Sequence, residues 1–134
     1  MRFAIDASVI VGLAFDEAPN AKIGSVIDEL EASEALTPSL FFFEVRNALV
    51  INEKRGRITR DGSTNFLRRL TRLPIRIAPL PEGDVLMELA RKQKLTVYDA
   101  AYLELATRER LPLATLDRAL EKAAIAEGVA LFGA

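Results

Sequence analysis

Short apolar segments alternate along this chain with longer segments whose apolar residues recur at helical spacing. This alternation is typical of βα units, in which helices join parallel strands. The apolar runs predict five strands, at Arg2–Ile5, Ala35–Thr37, Ile75–Ala78, Leu113–Thr115 and Val129–Phe132. The helical segments predict seven helices, over roughly residues 7–14, 20–31, 40–55, 61–73, 82–94, 97–110 and 118–126. We therefore expect an α/β fold, a three-layer α/β/α sandwich around a short, mainly parallel sheet of about five strands.

Prolines, glycines and small polar residues mark where several of these helices begin or end. Pro19 fits the first turn of the second helix, and Gly56 fits the end of the third. Thr59 or Asp61 can cap the fourth helix, and Thr96 can cap the sixth. Repeats, low-complexity tracts and linkers are absent from the sequence, so residues 1–134 are expected to form a single domain, a size usual for one.

The amino-acid composition excludes several kinds of catalytic and metal-binding site. The chain has no Cys and no His, although half of its residues are apolar, enough to fill a core. Thiolate nucleophiles, histidine triads and zinc sites built on imidazole are therefore excluded. Any catalysis must use carboxylates, hydroxyls, Lys, Arg or a metal held by oxygen.

The apolar segments are too short to suggest a membrane protein. The longest, Val9–Phe15, is interrupted by Gly12 and falls far below the ~20 residues of a spanning helix. Asp6 and the lack of a long apolar run near the N-terminus argue against a secretion signal. We expect a cytoplasmic protein without membrane association.

Four acidic residues lie where surface charge is not expected. Asp6 directly follows a predicted strand, and Asp117 lies just past the carboxyl end of another. Glu44 and Asp99 lie among apolar residues near the starts of predicted helices. In open α/β sheets, ligands bind in the crevice outside the carboxyl ends of the strands. The four carboxylates are therefore expected at one rim of the sheet.

Each acid also has a purely structural interpretation. Asp6 and Asp117 could cap the helices that follow them, and Thr96-x-x-Asp99 has the spacing of a capping box. Glu44 could belong to a polar stripe with Asn47, one turn along the same helix face.

Taken together, the acids favour a metal site. Four carboxylates in one crevice raise one another's pKa values, and folding tolerates them most easily when a cation neutralises their charge. Hard divalent cations prefer oxygen ligands, so without histidine the sequence favours Mg²⁺ or Mn²⁺ over zinc. Phosphodiester hydrolysis is the reaction that most naturally uses such an all-carboxylate site.

The motifs around these acids resemble those of the PIN-domain ribonucleases. They are Asp6-Ala7-Ser8 after the first strand, Glu44 to Leu49 on a helix, Tyr98 to Leu103 at a helix start, and Thr115-Leu116-Asp117 after a strand. In length and lack of further domains, the chain is similar to the VapC toxins of bacterial and archaeal type II toxin–antitoxin modules. The resemblance covers essentially the whole chain.

This resemblance implies roles for particular residues and partners. Asp6, Glu44, Asp99 and Asp117 match the family's acidic quartet, which holds one or two Mg²⁺ or Mn²⁺ ions. Ser8 and Thr115 match hydroxyl residues that support the acids, and Asn47 matches a polar residue one turn after the glutamate. The implied activity is hydrolysis of RNA to 5′-phosphate and 3′-hydroxyl ends. A VapB-type antitoxin and a homodimer are the implied protein partners.

Basic residues are concentrated in one stretch. Residues 54–76 hold eight basic side chains and one acid, a net charge of +7, so the rest of the chain carries −8. Arg68, Arg69 and Arg72 lie within about one helical turn and are candidate contacts to an RNA backbone. The alternatives are an ordinary solvated helix face or a contact to an acidic antitoxin.

Three consecutive phenylalanines, Phe41 to Phe43, sweep about 200° of a helix and cannot all face one core. Part of that surface is expected to meet another chain, although burial of two rings within this domain is the alternative.

Other classes of protein fit the acids less well. A phosphotransferase of the haloacid-dehalogenase kind requires a second Asp where Ser8 stands. A receiver-type domain requires an Asp after the third strand and a Lys after the fifth, but Leu80-Pro81 follows the third predicted strand and no Lys follows Val129. A catalytically silent protein- or RNA-binding module on the PIN fold stays open as the alternative function.

Overall fold

A computed structural model describes residues 1–15 and 20–133, so the predicted helix start at Pro19 lies outside the described residues. The strands are β1 (Phe3–Ile5), β2 (Ala35–Thr37), β3 (Ile75–Ile77) and β4 (Leu113–Ala114). The helices are α1 (Ala7–Phe15), α2 (Ala21–Ala32), α3 (Leu40–Lys54), α4 (Arg60–Leu70), α5 (Gly83–Gln93), α6 (Val97–Glu109) and α7 (Arg118–Ala126). The predicted α/β class is confirmed, with helices close to the predicted ranges.

All four strands run parallel, in the spatial order β3-β2-β1-β4. Strands β1, β2 and β4 are fully buried, and apolar side chains such as Phe3 and Leu113 fill both sides of the sheet. This is why these strands read in the sequence as unbroken apolar runs rather than as alternating ones. The edge strand β3 is the exception, with Ile77 about half exposed.

The prediction of a fifth strand over Val129–Phe132 is wrong. Within the described residues that segment makes a single bridge, Leu131 to Leu113, supported by a hydrogen bond from Phe132 N to Leu113 O of 2.9 Å. Its neighbour β4 has only two residues, so the ladder cannot extend. The segment is anchored instead by stacking of Phe132 on Phe3, with ring centroids 4.5 Å apart.

Helix α6 is central to the packing. It lies against β1, β2 and β4, and α5 and α7 pack on it. Five of its residues, including Leu103 and Leu105, are completely or almost completely shielded from solvent. Thr96 caps this helix as predicted, since its hydroxyl accepts a hydrogen bond from Asp99 N at 3.1 Å. Thr59, rather than Asp61, caps α4.

Among the described helices, none combines the length and apolar character that crossing a membrane requires.

Candidate active site

The chain order of the strands creates a crevice between β1 and β4. Successive strands step from β1 to β2 and β3 in one direction, and β4 then returns to the other side of β1. The connections leaving β1 and β4 therefore diverge at their carboxyl ends, which is where ligands bind in open α/β sheets. Asp6 follows β1 and Asp117 lies three residues after β4, so the crevice receives both acids.

The Asp6 carboxylate is buried and held by two hydroxyls. Ser8 Oγ and Thr115 Oγ1 both donate to the same oxygen, Asp6 Oδ2, at 2.8 and 2.6 Å. Each hydroxyl has only one proton to donate. When both protons are donated to Asp6, the Ser8 and Thr115 oxygens, which are 3.3 Å apart, do not donate to each other. The hydroxyls in turn accept backbone N–H groups, Leu116 N on Ser8 and Asp117 N on Thr115. Ser8 and Thr115 therefore link the end of β1 to the end of β4 through the Asp6 carboxylate.

Asp117 has the structural role that the sequence left open. It is the N-cap of α7, and its Oδ1 accepts a hydrogen bond from Leu120 N at 3.1 Å. Because this bond uses Oδ1, the other oxygen of the half-buried side chain retains its capacity to act as a ligand.

Glu44 is placed by a contact between helices α3 and α6. Tyr102, whose side chain is almost completely buried, donates its hydroxyl to Glu44 Oε1 at 2.6 Å. Burial raises the pKa of Tyr102, and its hydrogen bond to Glu44 raises it further, so the phenol remains a donor. Tyr102 was not predicted as a site residue. Its position three residues after Asp99, on the same helix face, is the sequence signal that could have identified it.

The four acids affect one another electrostatically. Burial raises the pKa of Asp6; hydrogen bonds from Thr115 and Ser8 oppose this shift, and the charge of Asp117 adds to it. Burial also raises the pKa of Glu44, with Tyr102 opposing and the charges of Asp6 and Asp99 adding. The pKa of Asp99 is raised by burial and then by Asp117 and Asp6, whereas its hydrogen bond with Thr96 lowers it. The four predicted acids therefore lie within electrostatic range at one rim.

The donor chemistry of this rim fits a hard divalent cation. Carboxylates and hydroxyls are its polar groups, and the mutual repulsion of the acids is the charge that a cation would neutralise. In the part of the chain that the structure describes, however, no three acidic side chains are already gathered around one point that could hold an ion. Binding would thus require side chains to turn inward.

The remaining predicted residues lie farther from the acids or on the surface. Asn47 is exposed on α3, and its role as a supporting residue stays a prediction. Arg68, Arg69 and Arg72 are exposed at the end of α4 and just beyond it. Lys22 was missed: its Nζ donates to Thr115 O at 3.2 Å and pairs with Glu121. Because 93 residues separate Lys22 from Thr115, nothing in the local sequence signals this contact.

Substituting Tyr102 by Phe is expected to weaken divalent-cation binding about tenfold, the lower end of losses seen when groups that orient metal ligands are removed. The hydroxyl lowers the pKa of Glu44, so its loss raises that pKa and frees the carboxylate to rotate. Titration calorimetry with Mn²⁺ measures the change. Tyr98→Phe is the matched control, because Tyr98 is exposed on the same helix. Equal Mn²⁺ affinities for the two variants would contradict the role given to Tyr102.

Comparison with known proteins identifies the family to which the chain belongs. The family model described as the PIN domain matches residues 3–126, nearly the whole chain. The chain therefore belongs to the PIN-domain family, and the predicted resemblance is confirmed. Among characterised relatives, it is 33% identical over 123 residues to ribonuclease VapC3 of Pyrobaculum aerophilum, an alignment that covers 90% of this chain and 92% of the relative.

Two solved structures are similar in fold. The crystal structure of PAE2754 from Pyrobaculum aerophilum superposes with a TM-score of 0.73 and 27% identity, covering 92% of this chain and 84% of the other. The Mycobacterium tuberculosis toxin VapC20, which cleaves the sarcin–ricin loop, superposes with a TM-score of 0.58 and 14% identity. That alignment covers 90% of this chain and 94% of VapC20, and it supports the shared fold alone.

Proposed function

We propose that this protein is a Mg²⁺- or Mn²⁺-dependent endoribonuclease, the toxin of a VapBC-type toxin–antitoxin module. The observation that carries the proposal is the Asp6 carboxylate, buried at the β1–β4 crevice, clamped by two hydroxyls and electrostatically coupled to Asp117, Glu44 and Asp99. Similarity to ribonuclease VapC3 over nearly the full length of both chains supports RNA as the substrate.

Asp6, Glu44, Asp99 and Asp117 are the residues that would hold the cation. A bound divalent cation supplies positive charge to the phosphodiester and lowers the pKa of water. Ser8 and Thr115 keep the Asp6 carboxylate in one orientation, and Tyr102 does the same for Glu44. This fixed placement matters because misplacement of a reacting group by about 1 Å can cost about a hundredfold in rate.

A cleavage assay tests the proposal directly. Purified protein is incubated with total RNA in EDTA, Mg²⁺ or Mn²⁺, and new 5′ ends are sequenced. We expect discrete cuts that carry 5′-phosphates and depend on the added metal. The control is Asp28→Asn, a substitution of an exposed acid on α2. Cleavage that continues at full rate in EDTA would refute metal dependence, and a complete lack of cleavage with either metal would favour the silent binding module.

The basic surface formed by Arg68, Arg69 and Arg72 is the proposed contact to the RNA backbone. All three side chains are exposed, in a segment with a net charge of +7. Neutralising them to Gln should weaken RNA binding and reduce the slope of log K against log salt by up to about 2, at about 0.7 per phosphate contact. The control is Arg110→Gln with Lys122→Gln, two exposed cations elsewhere on the surface. An unchanged salt slope in the triple variant would exclude this surface from RNA binding.

The proposal also includes three further points: the protein forms a homodimer, it binds a VapB-type antitoxin, and it is located in the cytoplasm. Phe41 is buried, whereas Phe42 and Phe43 are 42% and 67% exposed on α3, which confirms that the three rings do not share one core. The Arg46 guanidinium lies 3.5 Å from the centroid of the Phe42 ring, so this surface is both apolar and cationic. It supports contact with another chain close to Glu44.

A further inference from the structure

Lys22, near the start of α2, reaches the turn of residues 115–117 that connects β4 to α7, called here the β4–α7 turn. Its Nζ lies 3.2 Å from Thr115 O and 3.4 Å from Glu121 Oε2. The Lys22 and Glu121 side chains are 25% and 26% exposed, and no other cation in the ion pairs of the described residues is as well shielded. Partly buried pairs are screened less than exposed ones, so this pair is expected to contribute more than a surface ion pair.

The carbonyl group that Lys22 binds lies beyond the end of the sheet. The hydrogen bonds between β1 and β4 end with that from Asp6 N to Ala114 O, at 3.0 Å. Thr115 O is the next carbonyl along the chain, on a residue that is almost completely buried. A buried carbonyl requires a hydrogen-bond donor, and Lys22 Nζ supplies it. Lys22 therefore continues the support of this segment where the strand pairing stops.

The position of Lys22 is itself well fixed. Asn20 caps α2, and its Oδ1 accepts hydrogen bonds from Lys22 N at 2.9 Å and from Ile23 N at 3.2 Å. Ile23 and Val26 are buried and attach the same helix to the core. The ammonium group thus extends from a fixed helix start rather than from a loose segment.

The contacts of Lys22 lie on both sides of Asp117 in the chain. Thr115 precedes Asp117 by two residues, and Glu121 follows it by one helical turn on α7, with Glu121 N donating to Asp117 O at 2.9 Å. On the β1 side, the turn is held by the hydrogen bond from Thr115 Oγ1 to Asp6. Lys22 holds it from the α2 side. The backbone that carries Asp117 is therefore fixed from two directions.

We propose that Lys22 is a positioning residue for Asp117, because its ammonium group fixes the β4–α7 turn and so keeps the Asp117 carboxylate at the acidic rim. This inference rests on the proposed function, in which Asp117 helps to hold a divalent cation. Lys22 does not hold the cation itself, because an ammonium group has no acceptor lone pair. Groups that orient metal ligands in this way strongly affect metal affinity.

Titration calorimetry with Mn²⁺ tests this role in Lys22→Met, which keeps an unbranched side chain and removes the ammonium group. We expect about tenfold weaker Mn²⁺ binding. By charge alone, removing a cation from the neighbourhood should instead strengthen Mn²⁺ binding. Weaker binding therefore reports positioning rather than a change in electrostatic potential. Equal or tighter binding by Lys22→Met overturns the proposal.

The matched control is Lys92→Met. Lys92 also pairs with a glutamate, Glu127, at 3.0 Å, but this pair lies at the opposite end of α7 from Asp117. Its loss should leave Mn²⁺ affinity at the wild-type value. If Lys92→Met weakens Mn²⁺ binding as much as Lys22→Met does, the effect comes from the loss of any ion pair, and the proposal is overturned.

Amide hydrogen exchange, measured by NMR without metal, tests the same role independently of the cation. Asp117 N donates to Thr115 Oγ1, and Leu120 N donates to Asp117 Oδ1. In Lys22→Met both amides should exchange about tenfold faster, because a hydrogen bond from a charged donor is lost beside them. The amide of Ala4, in the β1–β4 ladder, should keep its wild-type rate.

The two measurements separate this inference from the proposed function. Unchanged exchange of Asp117 N and Leu120 N overturns the role of Lys22, as does equally faster exchange of Ala4 N, which would show a general loss of stability. If the wild type binds no Mn²⁺, the proposed metal-dependent function is refuted, and the exchange rates still decide whether Lys22 fixes the turn. If the wild type binds Mn²⁺ and Lys22→Met binds it equally well, only the inference about Lys22 is overturned.

Discussion

Replacing Asp6 by Asn is expected to reduce RNA cleavage about a thousandfold or more, since a bound metal contributes several kcal/mol to transition-state stabilisation and each 1.36 kcal/mol is tenfold in rate. The substitution removes one negative charge at the centre of the acidic rim while the shape of the side chain is almost unchanged. Initial rates of RNA cleavage in saturating Mn²⁺ measure the loss. Asp28→Asn is the control, and a rate within tenfold of the wild type would remove Asp6 from the metal site.

The same variant is expected to keep its fold, which separates loss of activity from loss of structure. Both hydroxyls donate to Oδ2 alone, so the single amide oxygen of Asn can accept both hydrogen bonds. Burial raises the pKa of Asp6, so the folded state binds more protons than the unfolded state between the ordinary pKa and the raised one. The metal-free wild type should therefore lose stability as the pH rises from about 4 through that raised pKa.

The pH-dependent contribution of Asp6 to the free energy of unfolding should be absent from the Asp6→Asn variant. Thermal melts in EDTA at pH 4 and pH 8 are expected to show a larger fall of the melting temperature for the wild type than for the variant. Added Mn²⁺ should raise the melting temperature of the wild type only, because the cation binds the folded site. A variant with the same pH dependence and the same response to Mn²⁺ as the wild type would contradict this account of Asp6.

Replacing Thr115 by Val is the second change with a large expected effect. Thr115 is almost completely buried, donates to Asp6 Oδ2 and accepts Asp117 N, so its hydroxyl joins two of the four acids. Valine has nearly the same shape as threonine but has no hydroxyl, so the Asp6 carboxylate loses a donor and Asp117 N loses its acceptor. Each unsatisfied buried polar group costs about 1–3 kcal/mol of stability. Removal of a group that orients a metal ligand typically costs 10–100-fold in affinity or activity, and we expect a loss in that range.

Thr115→Ser separates the hydroxyl from the rest of the side chain. It keeps the donor and the acceptor and removes only a methyl group, so cleavage should stay within a few-fold of the wild-type rate. Urea unfolding and cleavage rates are measured for the wild type and both variants. If Val and Ser at this position behave alike in both measurements, the hydroxyl has no positioning role.

The sequence was informative about the sheet and the acids at its edge because both depend on local patterns. A buried parallel strand must be an apolar run, and a polar residue directly after it must lie at the sheet's carboxyl end. Asp6 could therefore be placed from the sequence. Asp117 could be placed too, although the structure shows that it also caps α7, so the structural and functional interpretations are compatible.

Contacts between segments that are distant in the sequence could not be predicted from local sequence patterns. The hydrogen bond of Tyr102 to Glu44 and that of Lys22 to Thr115 depend on how helices pack. The spacing of Tyr102 from Asp99 places it on the same helix face, but no spacing in the sequence identifies the partner of Tyr102 or of Lys22. The prediction of a strand over residues 129–132 was wrong for a related reason. Its apolar residues are buried by stacking and a single bridge rather than by a ladder, and an apolar run alone cannot distinguish these outcomes.

Anomalous diffraction from crystals grown with Mn²⁺ tests the metal site most directly. The account predicts an anomalous peak at the β1–β4 crevice, within about 2.5 Å of carboxylate oxygens of Asp6 and at least one of Glu44, Asp99 and Asp117. Crystals of Asp6→Asn grown in the same way should lack that peak. Full Mn²⁺ occupancy at another place on the surface, with the crevice empty and its acids turned away from one another, would contradict it.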